Sequence, residues 1–191
     1  MDLCATTSQT VGPFFKIGLL WLSRSKLAEE GAAGERVTVR GRVIDGDGIP
    51  VPDAILEVWQ ANSHGKYAHM EDSQDKPLDN DLWGYGRIFV NAEGAFCFST
   101  IKPGSVPGPD DKEQAPHLAI TLFMRGLLRH LWTRMYFPND SRNLADPILS
   151  LVPADRRSTL VATDSPNEPG ALEWNIILQG KHETVFFELG S

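Results

Sequence analysis

Short runs of residues with alternating apolar and polar side chains recur along the chain, separated by Pro, Gly, Asn and Asp about every eight to twelve residues. Residues 54–60 (AILEVWQ) place Glu57 and Trp59 on one face and Leu56 and Val58 on the other. This pattern indicates a strand that is largely buried on both sides. Short strands at this spacing predict an all-β fold, a β-sandwich of mostly antiparallel strands.

The turn residues between these runs predict how the strands connect. A strand over residues 37–44 ends at the turn sequence DGDG. Gly-containing turns predict three hairpins, formed by residues 85–90 with 95–101, 117–123 with 130–137, and 172–178 with 184–188. Residues 153–161 break the pattern, because a proline followed closely by an acidic residue is typical of a helix start. We therefore expect one short helix there.

The chain is predicted to form a single domain over residues 1–191. Residues 1–34 are expected to be an N-terminal arm and linker, and residues 35–191 the sandwich. Two long polar loops, 72–81 and 102–114, lie between strands. Loops of this length in a compact domain are more often functional than idle, so we expect them to take part in a site or an interface.

The composition argues against several classes of function. A formal net charge of -7 and a pI of about 5.2 do not suit binding to a phosphate backbone, so we expect no nucleic-acid partner. The longest apolar run, residues 17–22, is too short to cross a membrane, and the first 15 residues do not resemble a secretory signal. The two cysteines, Cys4 and Cys97, form no disulfide framework. A reducing, cytoplasmic location is the expectation.

Residue patterns alone reveal only one cluster of possible metal ligands. It consists of His64, Tyr67 and His69, in a Gly-containing loop after residues 54–60. A polar surface loop without a metal is the simpler alternative, since loops are polar in any case. The sequence has no His-x-His, His-Glu-x-x-His or Cys-x-x-Cys motif, and no Gly-x-Ser-x-Gly turn. Local patterns therefore indicate no self-sufficient catalytic site.

Longer strings, taken in order, resemble the intradiol ring-cleavage dioxygenases. The resemblance runs from about residue 7 to residue 189 and rests on these strings: SQTVGPF (8–14), GRVID (41–45), AILEVWQAN (54–62), GYGR (84–87), FSTIKPG (98–104), APHL (115–118), TRMYF (133–137) and TVFF (184–187). Several strings in family order are a much stronger signal than any single motif. They imply the family's β-sandwich fold and its chemistry.

The departures from the family pattern concern the metal. Catalytic members hold a non-haem ferric ion with two tyrosines and two histidines, and phenolate oxygens suit Fe(III) as hard ligands. Tyr67 and His117 match the first tyrosine and the first histidine. Val106 and Ala119 stand where the second tyrosine and the second histidine belong. The resemblance therefore implies that this chain binds no iron and that these four positions are vestigial.

A family member that keeps the fold and loses the iron site resembles the alpha-type subunits of the family. Such a subunit pairs with a homologous beta subunit, which carries the Fe(III), in αβ units that stack into larger symmetric assemblies. The resemblance implies an active site at the interface of the two subunits. There a catechol bearing a carboxylate is cleaved by O2 between its two hydroxyl-bearing carbons.

The same resemblance assigns part of the substrate pocket wall to this chain. The residues that match are Thr10, Gly12 and Pro13 with the neighbouring Phe14, together with Arg134. Gly followed by Pro would let the backbone bend close to a substrate, although a plain turn is the alternative. The guanidinium of Arg134 would steer or bind the substrate carboxylate, although an ion pair on the strand surface at the subunit interface is the alternative. No catalytic residue is expected in this chain alone.

Two other functions compete with this interpretation. The first is a self-sufficient intradiol enzyme with shifted iron ligands, against which Val106 and Ala119 argue. The second is a non-enzymatic β-sandwich binding module, because strings like those in residues 45–60 also occur in secreted sandwich domains. The arm at residues 8–14 and the strand that carries Arg134 favour the enzyme subunit.

Overall fold

Two β-sheets packed face to face form the body of the molecule in the computed structural model, which describes residues 6–188. The strands are β1 (Arg36–Ile44), β2 (Ile55–Trp59), β3 (Tyr85–Phe89), β4 (Ala95–Ile101), β5 (Val106–Pro107), β6 (Glu113–Gln114), β7 (His117–Phe123), β8 (Leu131–Tyr136), β9 (Thr163–Asp164), β10 (Ala171–Glu173) and β11 (Ile176–Ile177). One α-helix, α1, spans Pro13–Leu19. Short 3-10 helices span Leu20–Leu22, Pro109–Asp111, Ser141–Ala145, Leu149–Leu151 and Arg157–Leu160.

The first sheet is built around β1. Strand β4 pairs with it in antiparallel orientation, while β10 and β11 pair with it in parallel, and β9 adds to β10. The second sheet is antiparallel throughout, in the order β3-β2-β7-β8. Strands β5 and β6 form a separate small hairpin. The predicted sandwich of mostly antiparallel strands is confirmed.

The space between the two sheets is filled by apolar side chains from every second position along the strands. Side chains that point inward from both sheets form one buried cluster, which includes Val37, Val39, Val43, Leu56, Val58, Phe96, Phe98, Leu118, Ile120, Leu122 and Met135. Successive side chains on a strand point to opposite faces, so the neighbours of these residues lie on the outer faces. In the second sheet those outward-facing neighbours are the residues from which the candidate site is built.

The predicted hairpins have different outcomes. Strands β7 and β8 form the hairpin expected from residues 117–137, with His117 opposite Tyr136. The hairpin predicted for residues 85–101 is wrong, because β3 pairs with β2 in one sheet and β4 pairs with β1 in the other. The turn at residues 91–94 is tight, and it connects the two sheets instead of two neighbouring strands. Both strands direct an apolar face to the core, which a turn between sheets satisfies equally well.

The third predicted hairpin is also wrong. Residues 172–178 are divided between β10 and β11, both parallel to β1, and the carbonyl oxygen of Trp174 lies 1.7 Å from where a Cβ at Gly41 would be. Glycine is required there because the backbone between the two short strands approaches so closely. Residues 184–188 meet β11 only at Thr184, whose N–H donates to the Ile177 carbonyl at 2.8 Å, and then approach β8, where the Phe187 N–H donates to the Trp132 carbonyl at 2.8 Å.

The helix predicted at residues 153–161 is not an α-helix. Its backbone hydrogen bonds run from Arg156 to Pro153 and from Thr159 to Arg156, the i to i+3 spacing of tight turns, and only Arg157–Leu160 is a 3-10 helix. The single α-helix found in residues 6–188 lies in the region expected to be the arm. That region also contributes Leu27, which is fully buried in the sandwich core.

Candidate functional site

A cavity of about 630 Å³ lies on the outer face of the second sheet, covered by the loops after β2 and around β5 and β6. We call it the Arg134 cavity. Its lining residues are Trp59, Tyr67, His69, Glu71, Asp72, Ser73, Gln74, Val106, Pro107, Gln114, His117, Ala119 and Arg134. The four positions that the resemblance predicts to be vestigial ligand positions, Tyr67, Val106, His117 and Ala119, therefore line one cavity together with Arg134.

Strand register explains why these residues meet. Ala119 lies at the centre of three paired strands, opposite Trp59 on β2 and opposite Arg134 on β8. All three alternate with core residues and so point to the outer face. The small hairpin places Val106 opposite Gln114 at the margin of the same face. The loop at residues 102–114 was predicted to take part in a site or an interface. The part of it that lines the cavity is the short hairpin formed by β5 and β6.

Tyr67 is positioned by a buried ion pair. Lys66 Nζ contacts Asp72 Oδ1 at 3.1 Å and donates to the Asp72 and Gln74 carbonyl oxygens, both at 2.6 Å, while the Tyr67 N–H donates to Asp72 Oδ2 at 2.8 Å. Burial opposes ionisation of Asp72, but hydrogen bonds from the Tyr67 and Gln74 backbone and from Lys66 lower its pKa to about 2. The Asp72 carboxylate therefore stays charged, and its hydrogen bonds fix the loop that carries Tyr67.

The aromatic wall of the cavity is formed by Trp59 and Tyr67. Their rings are nearly parallel, with an interplanar angle of 5° and centroids 5.8 Å apart, and His69 meets the Trp59 ring edge-on. Burial raises the pKa of the Tyr67 phenol. At neutral pH Tyr67 is thus a neutral phenol on a flat wall.

His117 is buried and neutral at the base of the cavity. Its Nδ1 lies 2.8 Å from the Ala115 carbonyl oxygen, and burial, together with the nearby charge of Arg134, lowers its pKa to about 4. Because a carbonyl only accepts, Nδ1 carries the ring proton and Nε2 is left as an acceptor. The adjacent Tyr136 hydroxyl donates to Asp146 Oδ1 at 3.0 Å, and burial raises the pKa of Tyr136 as well.

Arg134 is half-buried and hydrogen-bonds to neutral groups only. Its Nη1 donates to Gln114 Oε1 at 2.6 Å and lies 3.5 Å from the Tyr136 hydroxyl. Among residues 6–188, no carboxylate oxygen lies within 4.0 Å of the guanidinium. An ion pair at the subunit interface, the alternative considered for Arg134, would therefore need a carboxylate from outside residues 6–188.

The residues present do not fit a ferric ion. Val106 and Ala119 offer no donor atom, and the guanidinium of Arg134 stands directly across from Ala119 in the sheet register. A fixed positive charge beside the two remaining donors opposes the binding of a trivalent cation. Within residues 6–188, no three His, Cys, Asp or Glu side chains are grouped as metal ligands.

The predicted arm residues lie in a different place. Thr10 Oγ1 accepts a hydrogen bond of 2.7 Å from the Gly126 N–H, in the turn between β7 and β8. Gly12 caps α1 in an extended conformation with φ of -88°, and no atom of residues 6–188 lies within 4 Å of a Cβ built there, so no contact in that range requires glycine. Pro13 opens the helix, and Phe14 is 81% exposed.

A second, smaller cavity of about 250 Å³ lies beside this helix. We call it the arm cavity, and it is lined by Val11, Gly12, Pro13, Phe15, Lys16, Ile17, Asp53 and Arg125. It shares no lining residue with the Arg134 cavity. The structure therefore brings Gly12 and Pro13 together, and it brings Arg134 together with the vestigial positions, but it does not join the two groups.

Several residues of the Arg134 cavity were not predicted from the sequence. Gln114, which accepts from Arg134, and Asp72, which fixes Tyr67, had no local motif that could have identified them. The signal for Trp59 was present, because alternation in β2 placed it on the face opposite the core. His64 is exposed and does not line the cavity, so only two members of the histidine and tyrosine cluster reach it.

In the described residues, no helix has the length and apolar character needed to cross a membrane.

Comparison with known proteins gives relatives over nearly the whole chain. A protein-family model described as Dioxygenase (Dioxygenase_C) matches residues 20–180. The protocatechuate 3,4-dioxygenase alpha chain of Burkholderia cepacia is 38% identical over 198 residues, which cover 96% of this chain and 97% of that one. The alpha chain from Pseudomonas putida is 36% identical, with 96% of each chain covered. The beta chain of the Burkholderia cepacia enzyme is 41% identical over 158 residues, 79% of this chain and 67% of the beta chain.

Solved structures share the fold at lower sequence identity. The dioxygenase domain of a carbohydrate-binding fusion protein from Streptomyces sp. SirexAA-E superimposes with a TM-score of 0.63 at 24% identity, covering 85% of this chain and 89% of that one. The 3-chlorocatechol 1,2-dioxygenase of Rhodococcus opacus 1CP gives a TM-score of 0.61 at 19% identity, covering 93% and 69%. Both support the sandwich architecture.

Proposed function

Because the chain belongs to the intradiol dioxygenase family, we propose that it is the alpha-type, iron-free subunit of a protocatechuate 3,4-dioxygenase. In this proposal it pairs with a homologous beta subunit, and such αβ units assemble further. Support for a homologous partner comes from the similarity of this chain to both an alpha chain and a beta chain of the same named enzyme.

One observation carries the assignment to the iron-free type. The four positions expected to hold iron converge on the Arg134 cavity, yet only Tyr67 and His117 have donor atoms. A guanidinium occupies the same space. A site that has kept its shape while it lost half its ligands fits a subunit that depends on a partner for the metal. Against the alternative of shifted ligands stands the lack of donor atoms at Val106 and Ala119, and within residues 6–188 no three His, Cys, Asp or Glu side chains are grouped.

The proposed reaction takes place with the partner. Protocatechuate (3,4-dihydroxybenzoate) and O2 give 3-carboxy-cis,cis-muconate, with cleavage between the two hydroxyl-bearing carbons and retention of both oxygen atoms. The non-haem Fe(III) held by the beta subunit would supply the activation of the substrate toward O2. This chain would supply shape, charge and assembly, in cytoplasmic catabolism of aromatic compounds through the beta-ketoadipate pathway.

The arm is our proposed contribution to the partner's pocket wall. Helix α1 buries none of its residues within this chain, and the exposed apolar side chains Phe14, Ile17 and Trp21 lie on it or directly after it. An apolar surface of this kind is typical of a segment covered by another subunit. Thr10, Gly12, Pro13 and Phe14 would then meet the substrate from the partner's side. Arg134 lies in the other cavity, so its part in the shared wall depends on how the partner docks.

The test is to produce the chain alone and together with the beta subunit that its relatives predict. We expect iron and a visible tyrosinate charge-transfer band only when the beta subunit is present, with iron in a one-to-one ratio to that subunit. Turnover of protocatechuate should require both chains. Stoichiometric iron with a tyrosinate band in this chain purified alone would contradict the proposal, as would a co-purified pair without activity on catechols.

A further inference from the structure

Gln114 lies between the small β5–β6 hairpin and Arg134, and it forms two short hydrogen bonds. Its Oε1 accepts from Arg134 Nη1 at 2.6 Å, and its Nε2 donates to the Pro107 carbonyl oxygen at 2.6 Å. We propose that Gln114 is a positioning residue, a neutral bridge that fixes the Arg134 guanidinium and leaves its charge free for the substrate carboxylate. This inference rests on the proposed function, in which Arg134 belongs to the shared pocket wall.

The two partners of Gln114 require opposite ends of an amide. A guanidinium only donates hydrogen bonds and a backbone carbonyl only accepts them, so a side chain between them must accept at one end and donate at the other. A glutamine does both, whereas an ionised glutamate only accepts and a methionine offers no donor and only a weak acceptor. The chemistry of the two partners therefore favours an amide at this position and determines its orientation.

The backbone that Gln114 joins to Arg134 is itself anchored. The next residue, Ala115, donates its N–H to Asp146 Oδ2 at 2.7 Å, and the Asp146 side chain also accepts from the Tyr136 hydroxyl. Asp146 is only 1% exposed, and Tyr136 lies two positions from Arg134 on β8. The bridge therefore connects two fixed elements. It restricts the side-chain torsions of Arg134, which a free arginine would have to order when it binds a ligand.

The neutrality of the bridge preserves the charge of Arg134. Among residues 6–188, no carboxylate oxygen lies within 4.0 Å of this guanidinium, and its hydrogen bonds in that range start from Nη1 alone. Arg87 in the same sheet shows the contrast, because it is held by the Glu57 carboxylate of the neighbouring strand. An arginine held by an amide keeps N–H groups and a net charge for a carboxylate ligand, whereas an arginine in an ion pair does not.

The experiment measures kcat/KM of the pair formed with the beta subunit for two substrates. Protocatechuate carries the carboxylate and catechol has the same two hydroxyls without it, so the ratio of the two kcat/KM values reports the carboxylate contact. Gln114→Met keeps the length of the side chain and loses both hydrogen bonds. The ratio should fall about 3- to 10-fold, mainly through a higher KM for protocatechuate. A role limited to holding the hairpin would lower both values equally and leave the ratio unchanged.

Gln114→Glu separates charge from geometry. It keeps an acceptor for Arg134 and adds a negative charge that pairs with the guanidinium and repels the substrate carboxylate. The ratio should therefore fall further, by about 10- to 100-fold, while kcat/KM for catechol changes little. Gln179→Met is the matched control, because Gln179 is exposed beside Gly46 and does not line the Arg134 cavity. It should leave both values unchanged. Circular dichroism confirms that each variant is folded.

A second measurement follows the guanidinium directly in the full chain without its partner. In the ¹⁵N NMR spectrum, the hydrogen bond to Gln114 should slow the rotation of the Arg134 guanidinium and give separate Nη1 and Nη2 signals. Their absence in Arg134→Lys assigns them. In Gln114→Met the two signals should merge into one, because the restraint on rotation is lost.

The outcomes distinguish this inference from the proposed function. An active pair whose substrate ratio is unchanged in both Gln114 variants would overturn the inference alone, as would separate Nη signals that persist in Gln114→Met. A larger fall of the ratio in Gln114→Met than in Gln114→Glu would contradict the claim that the bridge has to be neutral. An unaltered pair that cleaves neither protocatechuate nor catechol would overturn the proposed function, and the inference with it.

Discussion

The Arg134 cavity and the N-terminal arm are built in opposite ways. The cavity is surrounded by hydrogen-bonded loops and a four-stranded sheet, and its central ion pair between Lys66 and Asp72 has side chains only 10% and 7% exposed. The first part of the arm, residues 6–22, is attached at a few points, and none of its residues is fully buried. The first region is complete within one chain, and the second presents a surface that another chain can cover. Substitutions should therefore affect stability in the first and activity in the second.

The largest effect on stability is expected from Lys66→Met. Removal of the ammonium leaves the Asp72 carboxylate buried without its partner, which costs about 3–5 kcal/mol of unfolding free energy. Urea denaturation measures this loss. The matched control is Lys26→Met, because the Lys26–Glu29 pair has side chains 53% and 48% exposed and should contribute less than about 1 kcal/mol. Equal losses in the two variants would contradict the distinction between the buried and the exposed ion pair.

Acidification should destabilise the same region through His117. Its folded pKa is about 4 instead of 6.5, so between these values the unfolded chain binds a proton that the folded chain does not. Stability is thus fully present above about pH 6.5 and decreases by about 3 kcal/mol as the pH falls to about 4.

The pH dependence is checked by urea denaturation between pH 4 and 7. In His117→Gln, the amide keeps a donor for the Ala115 carbonyl and does not titrate, so the decrease between these pH values should be about 3 kcal/mol smaller. In His130→Gln, which changes an exposed histidine, the profile should follow that of the unaltered chain. Identical slopes for all three proteins would mean that His117 does not bind its proton as described.

Deletion of residues 1–14 tests the arm. Because Phe14 is exposed and α1 buries nothing, the midpoint of thermal unfolding should change little. Loss of the proposed pocket wall should lower kcat/KM of the reconstituted pair for protocatechuate by about 10- to 100-fold, the effect of a misplaced substrate. Deletion of residues 1–7 keeps Thr10, Gly12 and Pro13 and serves as the control. Unchanged kcat/KM in the longer deletion would remove the arm from the active site.

The smallest effect is expected from Thr10→Val. Valine keeps the shape of threonine but cannot accept the hydrogen bond from the Gly126 N–H. Because this N–H is exposed, it can donate to water in the variant, and little stability is lost. The unfolding free energy should decrease by less than about 1 kcal/mol. A loss as large as that of Lys66→Met would show that the arm is as firmly integrated as the cavity, and the comparison of the two regions would fail.

The fold was predictable where residue alternation determines the structure. Strands β1, β2, β7 and β8 and the sandwich class follow from side chains that alternate between core and surface. Alternation does not reveal which strand is the neighbour. A turn such as residues 91–94 connects strands equally well within a sheet or between sheets, so the hairpin predicted from it was wrong. Alternation also does not indicate the 3-10 turns. Helix α1 had a local signal in Pro13 at its first position, but the Gly12–Pro13 pair was interpreted as a bend or turn in the arm.

The site was predictable only through the family resemblance. That resemblance selected Tyr67, Val106, His117 and Ala119 from distant parts of the chain, and all four line one cavity. It also grouped Arg134 with the arm, whereas strand register places Arg134 opposite Ala119. Pairing across strands is a property of the folded sheet, so the sequence alone did not reveal that Arg134 shares a cavity with the vestigial positions. The assignment of the arm and of Arg134 to the shared pocket wall stays a prediction.

The most direct test of the central claim is anomalous X-ray scattering at the iron edge from crystals of this chain with its iron-bearing partner. We expect an anomalous peak in the partner subunit and none in the Arg134 cavity. A peak between Tyr67 and His117, coordinated by side chains of this chain, would contradict it.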